Sequence, residues 1–283
     1  MILERLSDYF EDQFGKMTVN CRLAVDLHDP EGIHDYRVCI KRLKALFPLV
    51  EGINPDFRAK RCFKKFRKLF KSSAALRDVH IQLEVAENLR KIPCFPHDEY
   101  TAFLRAEEEA AGVRFTLFSD NFDVGRLRKK GKVLAGALDG LAPADAEKRA
   151  AARLRKLIGD LTARIEDPGR GEGELHGIRM LAKEVHYVRE MLGGCFPDAC
   201  SADAFIAGIK EVHQALGKWH DYEVARAFLD RFAGRGGVLP DGEGNTVRGW
   251  IDREKRGLMD AFETAWGRFR EMLRSAPPKT FSL

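Results

Sequence analysis

The sequence predicts an all-α protein built from two related halves. Three observations carry that expectation. Apolar residues recur in steps of three and four through almost every segment, with no sustained period-two alternation. Pro, Gly and Asn interrupt the pattern at intervals suited to helices of ordinary length. The stretch IHDYRVCIKRLKALF (33–47) returns in altered form as LHGIRMLAKEVHYVR (175–189), an offset of 142 that is half of the 283 residues. Two pseudo-symmetric four-helix bundles, 1–141 and 142–283, joined as one domain, are therefore expected.

Taken in order, residues 2–28 place Leu3, Leu6, Phe10, Phe14, Met17, Cys21, Ala24 and Leu27 at helical spacing, with Asp29-Pro30 as the expected terminator. A motif helix over about 32–51 sets Ile33, Tyr36, Ile40, Leu43 and Phe47 on its apolar side and ends at Asn54-Pro55. Helices follow at about 56–74, 76–91, 97–119 and 122–138. In the second half they are expected at 144–166, 174–192, 202–216, 219–233 and 246–273. Gly-rich connections fall at 167–173 and 234–244, and the tail SAPPKTFSL reads as loose.

Hydrophobic residues make up 45% and charged residues 32%, a balance that excludes a disordered chain. The net charge of +5 is unevenly spread: residues 34–77 hold 13 Lys and Arg against 3 Asp and Glu, whereas 176–220 holds 5 of each. A concentrated positive field recruits polyanions. The acidic amphipathic start MILERLSDYFEDQF does not read as a signal peptide, and no apolar run approaches the ~18 residues that cross a bilayer. The six cysteines form no CxxC or zinc-finger spacing. Reduced thiols in a cytoplasmic protein are expected.

Within each repeat a His is followed by Arg at +3 and Lys at +7: His34, Arg37, Lys41, then His176, Arg179, Lys183. At about 100° per residue each trio falls within about 60° of arc, a single cationic stripe. Lys44 and His186 extend the two stripes. The helix at 56–74 carries another, Lys60, Lys64, Arg67, Lys68 and Lys71, opposite Phe63, Phe66, Leu69 and Phe70. Packing such faces together without acidic partners repels unless an anion bridges them. Asp78 and Asp221 read first as helix-opening carboxylates and second as groups that orient cations in a cleft. Tyr187 and Glu190 are expected to support the second stripe, Glu190 by fixing a nearby Arg or Lys. Neither motif His has a partner at metal-ligand spacing on its own helix, so no metal is assigned, and no cofactor is expected. No nucleophile with its base, phosphate-binding Gly loop or Mg²⁺-holding acidic cluster is visible, so the expectation is a binding protein and not an enzyme.

HDYRVCIKRLK, its echo LHGIRMLAKEVHYVRE, and the later ALRDV and ALGKWHDYEVA resemble the CHAD family, the conserved histidine α-helical domain. The resemblance covers nearly the whole chain. It implies paired four-helix bundles with a basic surface that binds inorganic polyphosphate, and association with polyphosphate granules. By position it assigns binding to His34, Arg37, Lys41, Arg42 and Lys44, to Lys64, Arg67, Lys68 and Lys71, and in the second half to His176, Arg179, Lys183, His186, Lys210 and Gln214. His186 stands where the family usually has Arg, Glu184 where the first half has Arg42, and Glu211 where a base would match Lys68. The second half is therefore expected to contribute less charge. Reversing Arg37 and Lys41 to Glu is expected to remove binding and leave the fold undisturbed. Any hydrolysis is expected from a separate partner such as a CYTH-type triphosphatase. The competing readings are an RNA-binding protein, disfavoured because the basic faces lack aromatic stacking platforms, and an accessory or phosphohydrolase component of polyphosphate metabolism.

Overall fold

The structure is a computed structural model that describes residues 2–26, 29–167, 171–193, 202–240 and 246–275. The Gly-rich connections and the tail fall partly outside these residues, and Cys195, Cys200 and Leu27 do so entirely. Ten α-helices lie among the described residues, and no strand does: α1 (Ile2–Asp26), α2 (Pro30–Ile53), α3 (Ala59–Ser72), α4 (Ala74–Leu89), α5 (His97–Asp120), α6 (Gly125–Leu138), α7 (Pro143–Glu166), α8 (Glu172–Leu192), α9 (Ala202–Gly234) and α10 (Val247–Ser275). None of them is long and apolar enough to cross a membrane.

Local chemistry sets most of the boundaries. Asp29 does more than end α1, because it caps α2: its carboxylate accepts the Gly32 N–H at 2.7 Å, and Pro30 occupies the first turn, where its missing N–H costs nothing. Asn54 ends α2 with its N–H on the Val50 carbonyl, and its amide reaches the Ala137 carbonyl of α6 at 2.8 Å. The break expected between 216 and 219 is absent: α9 is one 33-residue helix. A lone Gly costs about 1 kcal/mol in a helix, and Val212, Leu216 and Trp219 bury one continuous face past Gly217. The same continuity overturns the first reading of Asp221, which lies in the middle of α9; Asp78 is likewise a full turn inside α4.

The halves share their cores. One core runs from Phe10, Phe47 and Phe66, the latter pair 5.6 Å apart, through Val185 and Val188 of α8 to Phe205 and Phe269, 5.1 Å apart. The other joins Val79, Leu89, Tyr100 and Leu104 of α4 and α5 to Tyr222, Phe232 and Ile251 of α9 and α10. Hydrophobic burial thus welds residues 1–141 to 142–283. Cys21, Cys39 and Cys62 are buried free thiols that pack within the first core. The site depends on α2 lying against α8 while α4 lies against α9.

Candidate functional site: a polycationic cavity between the halves

Because α2 and α8 bury their apolar sides in one core, their cationic stripes turn toward the same space. There His34, Arg37 and Lys41 face His176, Arg179 and Lys183 across a cavity of about 900 Å³. Arg77 and Asp78 of α4, His213, Gln214, Lys218, His220 and Asp221 of α9, and Arg268 of α10 complete its charged and polar lining together with Gln82, Glu84 and Glu211. Seven Lys and Arg side chains meet four carboxylates. Two of those carboxylates are engaged at the side, Glu211 with Arg268 at 2.9 Å and Glu84 with Arg77 at 3.6 Å.

The electrostatics record the excess. Burial, then the charges of Lys183, Arg37, Arg179 and Arg77, bring the Lys41 ammonium down to about 7. Burial and Arg179 bring Lys183 to about 8. Burial raises Asp78 and Asp221 while Arg37 and Arg179, respectively, pull them back, so these carboxylates lie in the field of the cleft's cations. The histidines are held toward neutrality. Burial followed by Arg77 lowers His34, and burial followed by Arg179 lowers His176. His220, 5.1 Å from His176 between ring centres, is lowered to about 4 by burial and Arg179. His213 falls to about 3, through burial and the neighbouring His186. Among the described residues, no group of three or more His, Cys, Asp or Glu side chains could hold a metal ion.

The two motif arginines play different parts. Arg37 is 8% exposed. Its Nη1 donates to the Phe70 carbonyl at 2.7 Å and to Ser73 Oγ at 3.0 Å, and its guanidinium lies 3.9 Å from the Phe70 ring centre. Burial holds its pKa down at about 10. It therefore ties α2 to the α3–α4 junction as well as lining the cavity, which corrects the expectation that reversing it spares the fold. Arg179 lies against Gly217, where an added Cβ would fall 3.7 Å from Nε, and that Nε has no hydrogen-bond partner among the described groups.

The other sequence-assigned residues divide. Gln214 lines the cavity. Lys44 lines a smaller cavity beside it. Arg42 lies outside both, paired with Glu190 at 3.0 Å beside the Tyr187 ring, the role foreseen for Glu190. His186 packs on His213 and lies 3.7 Å from Glu190, behind the lining. Lys210 is exposed and reaches the site only through its field at His186. Lys64, Arg67, Lys68 and Lys71 are exposed on α3 and line no part of the cavity. The expected asymmetry is thereby corrected: within the cavity the second half supplies four of the seven Lys and Arg and three of the four histidines, while much of the charge of 34–77 faces outward on α3. Arg77, His213, Lys218, His220 and Arg268 were not assigned to the site from the sequence. His213 and Lys218 follow from reading α9 as one helix, whereas nothing in the sequence brings Arg268 to the site.

Fold and site define an all-α protein with a polycationic cleft shared by two halves. The family model for the CHAD domain matches residues 8–230, and the chain belongs to the CHAD family. No curated protein matches it. Among solved structures it resembles the CHAD domain from the plant Ricinus communis, at 17% identity over 98% of this chain and 93% of that one, with a TM-score of 0.69. It also resembles PptA from Streptomyces chartreusis, at 17% identity over 94% of this chain and 99% of that one, with a TM-score of 0.60. At this identity the likeness is one of fold.

Proposed function

We propose that this protein binds inorganic polyphosphate in the cavity between α2, α4, α8 and α9 without turning it over. The observation that carries the reading is the excess in one cavity of seven Lys and Arg over four carboxylates. Burial and four positive charges bring Lys41 down to about 7 there, in a site whose own carboxylates leave positive charge for an anion to balance. Polyphosphate fits the remaining chemistry. It is a chain of charges with no bases to stack, and of Phe70 and Tyr187, which line the cavity, the Phe70 ring is already covered by Arg37. Lysines act as mobile point charges and Arg179 as a forked donor, so successive phosphates can be held without a fixed register. Capture is electrostatic, with release of counterions and a steep dependence on salt. Asp78 and Asp221 serve the arginines, and the neutral histidines offer hydrogen bonds to phosphate oxygens. In the cell this reading places the protein in the cytoplasm, on polyphosphate granules, with hydrolysis left to a separate triphosphatase.

The test is calorimetric titration with polyphosphate of the wild type and of a Lys41→Met/Lys183→Met variant, with RNA at equal phosphate as competitor. The reading expects tight wild-type binding that RNA does not displace, loss of most affinity in the variant, and unchanged chain length after incubation with Mg²⁺ or Mn²⁺. Normal binding by the double variant sinks the site, displacement by RNA sinks the ligand, and chain shortening sinks the non-catalytic role.

A further inference from the structure

The main cavity has a neighbour. A smaller one of about 230 Å³ lies where α2, α7 and α8 meet and shares Lys41, Met180, Lys183 and Tyr187 with it. Lys44 of α2 and Arg164 of α7 line it and not the larger one. Arg164 is exposed and reaches this pocket over the backbone of α8: a Cβ added at Gly177 would lie 3.1 Å from its Nη1, so the glycine leaves room for the guanidinium. The single carboxylate of the lining, Glu184, is already taken by Arg153 at 2.7 Å. The two cavities also communicate electrostatically, since the Lys44 charge acts on His176 in the larger one.

The smaller cavity thus adds two cations, Lys44 and Arg164, to the shared lysines Lys41 and Lys183, with Ala45 and Leu181 as apolar wall. A compact anion satisfied in the larger cavity has no use for these added cations. A linear one does, because the lysine pair that binds one of its phosphates stands at the entrance to the next pocket. We propose that a phosphate chain continues past Lys41 and Lys183 into the smaller cavity, where Arg164 and Lys44 hold further phosphates, and that this second subsite makes the protein select long chains over short ones. The inference rests on the polyphosphate reading above and adds to it a length preference and a phosphate-binding residue, Arg164, outside the repeated motif.

Two variants test it, each titrated with tripolyphosphate and with long-chain polyphosphate over a range of salt. Arg164→Ala removes one phosphate contact, so the salt dependence of long-chain binding loses about 0.7 in slope, as for one contact on a single strand. Its slope for tripolyphosphate stays as in the wild type. Gly177→Leu fills the smaller cavity without changing charge and is expected to lower long-chain affinity while tripolyphosphate affinity stays within about twofold, less than 0.5 kcal/mol. Equal losses for both lengths, or no loss for either, overturn the second subsite while leaving polyphosphate binding intact. A wild type that binds neither length overturns the underlying reading instead, and the subsite with it.

Discussion

Lys183 of α8 holds down Lys41 of α2: after burial, its charge is the largest influence that brings the Lys41 ammonium to about 7. The two residues occupy matching places in the repeated motif and line the same two cavities. A folded protein that keeps such a pair, with only the fields of Asp221 at Lys183 and of Asp78 at Lys41 to offset it, gives up stability at the site it uses. That cost and the affinity for an anion have the same origin.

Removing one member should therefore stabilise the free protein. A lysine titrating near 7 in the fold and near 10.4 when unfolded binds fewer protons folded than unfolded between those values, so its destabilising effect is complete below pH 7 and fades as pH rises toward 10.4. Lys41→Met is expected to unfold at a higher temperature than the wild type at pH 6.5 to 7, by roughly 2–4 °C for each kcal/mol recovered. The difference should shrink steadily toward pH 10. Thermal unfolding of both proteins across that range checks it, and a variant less stable than the wild type at pH 7 refutes the like-charge account.

Ligand binding should run the other way with pH. An anion stabilises the protonated lysines, so above about pH 7 for Lys41 and pH 8 for Lys183 the free protein must take up protons to bind. Affinity for polyphosphate is expected to fall as pH rises from 7 to 9, by up to about tenfold per unit for each proton taken up. Below pH 7 the lowered histidines His34 and His176 continue the trend, gaining charge as the ligand draws protons onto them. Titrations in buffers of different ionisation enthalpy measure the uptake directly. Affinity independent of pH between 7 and 9 would show that these lysines do not touch the ligand.

The two facing stripes were legible in the sequence because both properties that place them are local. Helical period puts His, Arg and Lys on one side of α2 and α8, and the apolar period puts the other side in the core. The charge of α3 was equally legible and pointed elsewhere, because period tells which residues share a face and not what that face meets. Phe70 looks into the cavity, but Lys71 lies about 100° further round the helix, in solvent. Arg42 and Lys41 are adjacent in sequence, yet one is paired with Glu190 at 3.0 Å and the other meets only the field of Asp78 among like charges. That distinction needs the partner helix. Arg268 comes from the last helix, far along the chain, and only the packing of α10 on α9 brings it in.

Arg37 and Arg179, equivalent in sequence, should separate cleanly by mutation. Arg37→Ala loses hydrogen bonds to Phe70 and Ser73 and the stacking on Phe70, a buried and partly charged set worth roughly 2–3 kcal/mol. It is expected to lower both thermal stability and affinity. Arg179→Ala removes a cation whose Nε has no partner among the described groups and which the fields of Asp221 and Asp78 favour, so affinity should fall by at least about tenfold for a lost charged contact with phosphate while stability falls less than in Arg37→Ala. Unfolding midpoints and titrations of the two variants check this. Equal destabilisation by both would mean that Arg179 is as structural as its counterpart.

The exposed row on α3 should act at a distance. Lys60, Lys64, Arg67 and Lys71 follow one another on the same side of the helix, outside the cavity and roughly a quarter turn round from Phe70, which lines it. Their fields reach a ligand approaching the cavity within a Debye length, about 10 Å at 0.1 M salt and about 3 Å at 1 M. Lys64→Glu/Arg67→Glu/Lys71→Glu is therefore expected to slow association of polyphosphate severalfold at low salt, leave the dissociation rate and the unfolding temperature nearly unchanged, and match the wild type at high salt. Stopped-flow association over a salt series checks it. A faster dissociation that persists at high salt would instead make these residues direct ligands, and the binding surface would then extend from the cavity onto α3.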